Sequence, residues 1–263
     1  LFDRFPVDNV FAMHNFPDLI TGAIITAPGA MMASVDLFDV TVTGQGAHGA
    51  FPHRAVDPIL VSAQLLTAWQ SIVSQNIDSL ESAVITATSI NAGDSWNVIP
   101  ETAVIRGSVR TLSAEVRQRV QDRFYTITNN ITEAWGTKVE IRYRPISPVT
   151  INDAEQTTLA CDVAASIVGE NYVLRSTTAG MGSEDFAYML QEKPGCYLLL
   201  GTASPMVTKD LRQERNIKLA ADEDYFSAKD VPLLHEPTYD FNDEVIPLGA
   251  TLFVRLVEYY LIK

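Results

Sequence analysis

Residues 34–147 carry an order of periodic segments that few folds accommodate: strand, helix, strand, strand, helix, strand. Residues 35–43 (VDLFDVTVT) alternate and are rich in β-branched side chains, the pattern of a strand buried on one face. Asp57-Pro58 opens a helix, because Asp accepts free backbone N–H groups and Pro suits the first helical position. Ile59, Ala63, Leu66, Trp69 or Gln70, and Val73 follow at helical spacing. Residues 82–90 and 98–109 read as two further strands. Ser113 caps a second helix whose apolar face runs Val116, Val120, Phe124, Ile127, Ile131, Trp135, in steps of three or four. Residues 138–143 supply the last strand. This β-α-β-β-α-β order is the ferredoxin-like split motif and predicts a small α+β domain.

The flanking segments have a different grammar. Residues 9–13 are strand-like and lead into a stretch punctuated by Pro and Gly. After residue 148, α and β patterns alternate: a helix at 154–168 closed by Gly169, a short helix from Ser183, a buried strand at 196–200, and a terminal helix at 247–261. Residues 204–230 are polar and charged, and read as a long surface excursion. The simplest architecture is an α/β domain formed by residues 1–33 and 148–263 and interrupted by an inserted α+β domain at 34–147. The opening LFDRF has no initiator Met and reads as the end of a helix, so the expectation is that the N-terminal part of the α/β domain is missing.

Composition excludes some partners. A net charge of −13 repels polyanions, so nucleic acid is not expected. No apolar run reaches bilayer length, so no membrane span is expected. Cys161 and Cys196 sit singly in apolar contexts, which suggests buried free thiols and a reducing, cytoplasmic setting.

Chemistry concentrates at element ends. The chain has four histidines, His14, His48, His53 and His235, each within two residues of Pro, Gly or Asn. Imidazole is the commonest neutral metal ligand and the usual acid/base near neutral pH. A lone histidine is more often a satisfied structural residue, but four at loop edges shift the odds modestly. Gly182-Ser183-Glu184-Asp185 reads first as a helix cap favoured by the helix dipole, and second as an anion-holding helix start. Asn97 and Arg110 read as a turn residue and a surface charge, or as ligand contacts. Glu236, Asp240, Asp243 and Glu244 are candidate ligands or a solvated acidic turn.

Five stretches in order, VFAMHNFPDLITG, VTGQGAHGAFPHRAVDPI, SINAGDSWNVIPETAVIRGSVR, GMGSEDFAYML and LLHEPTYDFNDEVIPLGA, resemble the aminoacylase/carboxypeptidase superfamily of dinuclear metal amidohydrolases. The branch they resemble is that of hippurate hydrolase, N-acyl-amino-acid deacylase and indoleacetyl-amino-acid hydrolase. The resemblance implies a metal-dependent enzyme that cleaves the amide bond of N-acyl amino acids, with two divalent ions (zinc or manganese) and a homodimer formed through the inserted domain. It implies metal ligation by His14 and His235. His48 would polarise the scissile carbonyl in the partner subunit's site. Asn97 and Arg110 would hold the substrate carboxylate, again across the dimer, and Gly182 and Ser183 would line the substrate, with His53 and Glu184 in support.

Two departures from the family pattern stand out. An upstream Cys, His and Glu-Glu pair, which supply further ligands and the general base, do not precede His14. The stretch from Thr202 to Leu233 is longer than the pattern expects. The chain alone is therefore expected to bind metal weakly and to be inactive. Two alternatives remain: a catalytically incomplete fragment serving as a dimerisation or binding module, and a di- or aminopeptidase of the same superfamily.

Overall fold

The computed structural model describes residues 1–203 and 232–261; the excursion expected at 204–230 lies outside the described residues. The chain divides into two units: Leu1–Met31, Thr150–Ala179 and Phe186–Lys263 form one, and Met32–Val149 with Gly180–Asp185 form the other. The fold is mixed α/β with an α+β insert.

The second unit is the split motif. Strand β4 (Ser34–Thr43) lies between β8 (Thr102–Thr111) and β9 (Lys138–Ser147), and β6 (Ala83–Ala92) pairs with the outer side of β8. All pairings are antiparallel. Helices α1 (Pro58–Asn76) and α2 (Ala114–Ala134) pack against this sheet. Asp57 caps α1 by accepting from the Ile59 N–H at 2.8 Å, and Ser113 caps α2 by accepting from Val116 N–H at 3.1 Å. Phe38, Val40 and Val42 of β4 meet Trp69 and Phe124, whose rings stack at 4.6 Å between centroids.

Three details differ from the sequence pattern. The buried face of α1 is Val61, Leu65, Trp69 and Ile72, whereas Ile59 is exposed. On α2 the buried face passes from Phe124 to Thr128 and Thr132, leaving Trp135 exposed. The reason is polar: buried Trp69 Nε1 donates to Thr128 Oγ1 at 2.9 Å, which holds a hydroxyl where the apolar spacing points elsewhere. The strand expected at 98–109 is split into β7 (Val98–Ile99) and β8, because Pro100 has no N–H for a ladder.

One polar group sits inside this core. Asp36 has the same parity on β4 as Phe38, Val40 and Val42 and is 1% exposed. Arg117 Nε donates to its two oxygens at 3.0 and 3.2 Å, with a further contact from Nη2, and the Tyr143 hydroxyl donates at 3.0 Å.

The first unit is built on a four-stranded sheet in the order β1 (Val10–Phe16), β12 (Gly195–Gly201), β2 (Ile24–Ile25), β11 (Val173–Leu174). β1 and β12 run parallel, as do β2 and β11. Helices α3 (Ala154–Val168) and α5 (Ile246–Leu261) bury Ala160, Ala164, Leu252 and Leu256 against it. Asn152, on β10 (Thr150–Asn152), ties the layer together. Its Nδ2 donates to Thr26 Oγ1, Ala27 O and Tyr197 O, and its Oδ1 accepts from Tyr197 N–H at 2.7 Å. Cys161 and Cys196 are buried and free; burial pushes the Cys161 thiol up to about 11 and raises Cys196 as well, so neither is poised as a nucleophile.

Candidate active-site elements

The helix expected to start at Ser183 begins instead at Ala187, as α4 (Ala187–Glu192), with no side-chain cap. Residues 180–185 are otherwise engaged. The Ala33 N–H donates to both Gly180 O (3.0 Å) and Gly182 O (2.8 Å), and Arg110 Nη1 donates to Met181 O at 2.7 Å. Contacts with the Ala33 N–H and the Arg110 guanidinium take the place of helix capping here. Ser183 is half-buried and Gly182 is exposed.

His48 is placed by a short ribbon. Strands β5 (Ala47–His48) and β7 pair His48 with Val98, and Gly49 N–H donates to Asn97 O at 2.7 Å. The ribbon therefore sets His48 opposite Val98, with Asn97 the next residue along and its carbonyl facing Gly49. Gly44 makes the approach to it feasible: a Cβ there would lie 1.9 Å from the Val56 carbonyl oxygen, which accepts from Gln45 N–H. The Ala50 N–H donates to His48 Nδ1 at 3.1 Å. With Nδ1 accepting, the neutral ring carries its proton on Nε2, an outward donor. His53 follows in the short 3-10 turn Pro52–Arg54, in ring contact with Phe51.

His14 has the opposite arrangement. It lies on β1 in register with Leu199, and its Nδ1 donates to the Asn15 carbonyl at 2.7 Å. The neutral ring then carries a lone pair on Nε2, the form a metal ligand needs, with the other nitrogen anchored to a carbonyl. Asn15 Nδ2 donates to the Tyr239 hydroxyl. His235 is exposed, with φ of 72°, the left-handed region that side chains other than Gly and Asn rarely adopt. It sits in the turn closed by Glu236 N–H to Leu233 O.

Beyond the carboxyl ends of β1 and β12, where open α/β sheets bind ligands, lies a cleft of about 310 Å³ lined by Pro17, Thr202, Tyr239, Asp240, Asn242 and Asp243. Thr202 Oγ1 is buried there without a partner among the described residues. Asn242 Nδ2 donates to Ala203 O, and its Oδ1 accepts from the Glu244 N–H. Of its lining, Asp240 and Asp243 are the candidate ligands that the sequence offered in the stretch LLHEPTYDFNDEVIPLGA.

Asn97 and Arg110 are not brought together. Arg110 is paired with Val35 and Val84 at the far end of β8, eight residues past Thr102, which is roughly 26 Å of strand at the usual rise. Among the described residues, no three His, Cys, Asp or Glu side chains group so as to hold a metal ion. His14 fits a ligand's chemistry, but the donor set of the described residues does not by itself close a metal site.

Residues 34–136 match the peptidase dimerisation domain of the M20 family. An N-acetyl-L-cysteine deacetylase of Bacillus subtilis (strain 168) is 41% identical over 196 residues, 74% of this chain and 46% of that protein. The hippurate hydrolase of Campylobacter jejuni is 33% identical over 261 residues, 99% of this chain and 61% of that protein. A solved Bacillus subtilis structure, described as a dinuclear metal-binding peptidase of the M20 family, is 27% identical with a TM-score of 0.70, over 98% of this chain and 58% of its own. The chain thus spans roughly half to three fifths of the length of the relatives it matches. The order of motifs, the split α+β insert and these likenesses agree: residues 34–136 form a peptidase dimerisation domain, and the chain as a whole is similar to hydrolases and peptidases of the M20 family.

Proposed function

We propose that the protein to which this chain belongs is an amidohydrolase that cleaves the amide bond of N-acyl amino acids, hippurate-like or N-acetylated, and works as a homodimer. The observation that carries this reading is His48: an exposed ring whose Nδ1 is occupied by a backbone N–H, leaving the Nε2–H as a donor, on the ribbon of a dimerisation domain that also carries Asn97. Such a donor stabilises the oxyanion that forms when water attacks an amide carbonyl. Arg110 supplies a guanidinium for the free carboxylate of the substrate, with Asn97 as a second polar contact, and Gly182 and Ser183 line the bound molecule. Relatives described as an N-acetyl-L-cysteine deacetylase, a hippurate hydrolase and an N-acetyldiaminopimelate deacetylase support the substrate class.

The metal-binding neighbour supports two divalent ions in the whole protein, with zinc or manganese the metals that the resemblance implies. His14 and His235 are the ligands this chain contributes. When bound, the ions would activate the attacking water.

The test is hydrolysis of hippurate and N-acetyl amino acids, after chelation and after add-back of zinc or manganese. It is run on the 263-residue chain and on any longer product of its gene upstream of Leu1. Metal-restored release of the free amino acid supports the reading. No release from either protein with any divalent ion refutes it and favours a binding module, the reading consistent with the unclosed donor set.

A further inference from the structure

Arg110 has a division of labour that its sequence position does not suggest. It is half-buried at the end of β8, and its Nη1 is committed to the Met181 carbonyl at 2.7 Å. Its Nε and Nη2 have no partner among the described residues, and none of the ion pairs there includes it. Met181 is itself held in place. The Ala33 N–H donates to the carbonyls on either side, Gly180 and Gly182, and Met32 bridges Gly180 in parallel. The acceptor for Nη1 is therefore a fixed point of the backbone.

A guanidinium is planar, so fixing one nitrogen and the side-chain stem fixes the direction of the rest. The edge left open is Nε with Nη2, which presents two parallel N–H groups and matches a carboxylate bidentately. We propose that the Met181 carbonyl is a positioning group for carboxylate recognition, clamping Arg110 so that its Nε–Nη2 edge is aimed before the substrate arrives. This rests on the reading of the substrate as an N-acyl amino acid. Ordering the fork in advance removes part of the entropy loss of binding. It also gives residues 180–185 a part in specificity through their main chain: a shift of Met181 re-aims the carboxylate contact with no change of side chain. A lysine at position 110 would keep the charge but lose the fork, and could serve the carbonyl or the carboxylate but not both in this geometry.

The experiment weakens the Met181 carbonyl without altering any side chain. Replacing Gly182 by glycolic acid through nonsense suppression turns the Met181–Gly182 amide into an ester, whose carbonyl is a poorer acceptor. The Gly182 N–H that is lost has no partner among the described residues. Affinities for hippurate and for its methyl ester are measured by calorimetry on the parent and ester proteins. The expected result is a hippurate affinity lowered about fivefold, the size of one net hydrogen bond, with the methyl ester affected less than twofold. Hippurate affinity unchanged, or both ligands weakened alike, overturns the positioning role. Failure of the functional reading looks different: the parent then binds hippurate no better than its methyl ester, an outcome that removes both proposals. A second readout needs no ligand. In Arg110→Ala, the Ala33 amide should exchange its hydrogen about tenfold faster, and unchanged exchange would show that the clamp does not order the segment.

Discussion

The buried carboxylate of Asp36 invites a stability measurement whose size follows from its partners. Arg117→Met removes the Nε and Nη2 contacts and leaves a 1% exposed carboxylate with one hydrogen bond, from Tyr143. Breaking a buried pair from one side costs about 3–5 kcal/mol, because the remaining charge stays desolvated without its counter-ion. With a urea m-value of about 2 kcal/mol/M, the midpoint should fall by roughly 2 M. All three tryptophans, Trp69, Trp96 and Trp135, lie in the unit that holds Asp36, so tryptophan fluorescence follows that unit's unfolding specifically. The paired control is Asp36→Leu with Arg117→Met, which removes both charges and should recover most of the loss. If Arg117→Met costs less than about 1 kcal/mol, the carboxylate is reached by water and behaves like an exposed pair. If the double variant is as unstable as the single one, packing rather than charge explains the loss.

The same site predicts a pH response. Burial, with Asp36 alongside, raises the Tyr143 pKa. Below the unfolded value of about 10 both states keep the proton and its contribution is complete; above it the unfolded phenol ionises first, so stability should fall with rising pH. Tyr143→Phe should flatten that alkaline slope in the same fluorescence assay. In the active protein, His48→Ala should lower kcat about a hundredfold, as expected for loss of an oxyanion donor, with a smaller change in KM. Sedimentation equilibrium should give a dimer, and a clean monomer at high micromolar concentration would count against the proposed assembly.

What was legible in the sequence was what repeats. The alternation of residues 35–43 and the caps Asp57 and Ser113 marked their elements to within a residue or two, because period and cap chemistry are local. The burial of α1 and α2 was less legible: a buried Trp69 N–H needs an acceptor, so Thr128 takes a core position that apolar spacing assigns elsewhere. Asp36 did leave a signal, an acid sharing parity with Phe38, Val40 and Val42, from which a buried partner follows. The non-helical course of residues 180–185 left none, since it is set by the Ala33 N–H and the Arg110 guanidinium, both distant in sequence. Among site candidates the histidines were found by type, but their roles depend on which ring nitrogen a backbone group occupies. That distinction between His14 and His48 exists only in three dimensions.

The two ends of β8 supply the final prediction. His48 and Asn97 sit on the ribbon that precedes Thr102, whereas Arg110 lies at the other end of the strand, roughly 26 Å on from Thr102. A hippurate-sized molecule is much shorter than that. If His48 and Arg110 act on one substrate, they come from different copies of the chain, which departs from the expectation that both reach across the dimer from the same subunit, and a two-fold dimer then has two composite sites. Mixing His48→Ala with Arg110→Ala subunits, each nearly inactive alone, gives heterodimers in which one site keeps both residues and the other loses both. With random reassociation, half the dimers are mixed and half of their sites are intact, so activity should recover to about a quarter of the parent value. Recovery should follow subunit exchange and fail if exchange is blocked by cross-linking each homodimer before mixing. If freely exchanging mixtures show no recovery, the two residues do not meet in one site across a dimer. The shared role in carboxylate and carbonyl recognition would then have to be abandoned for one of them.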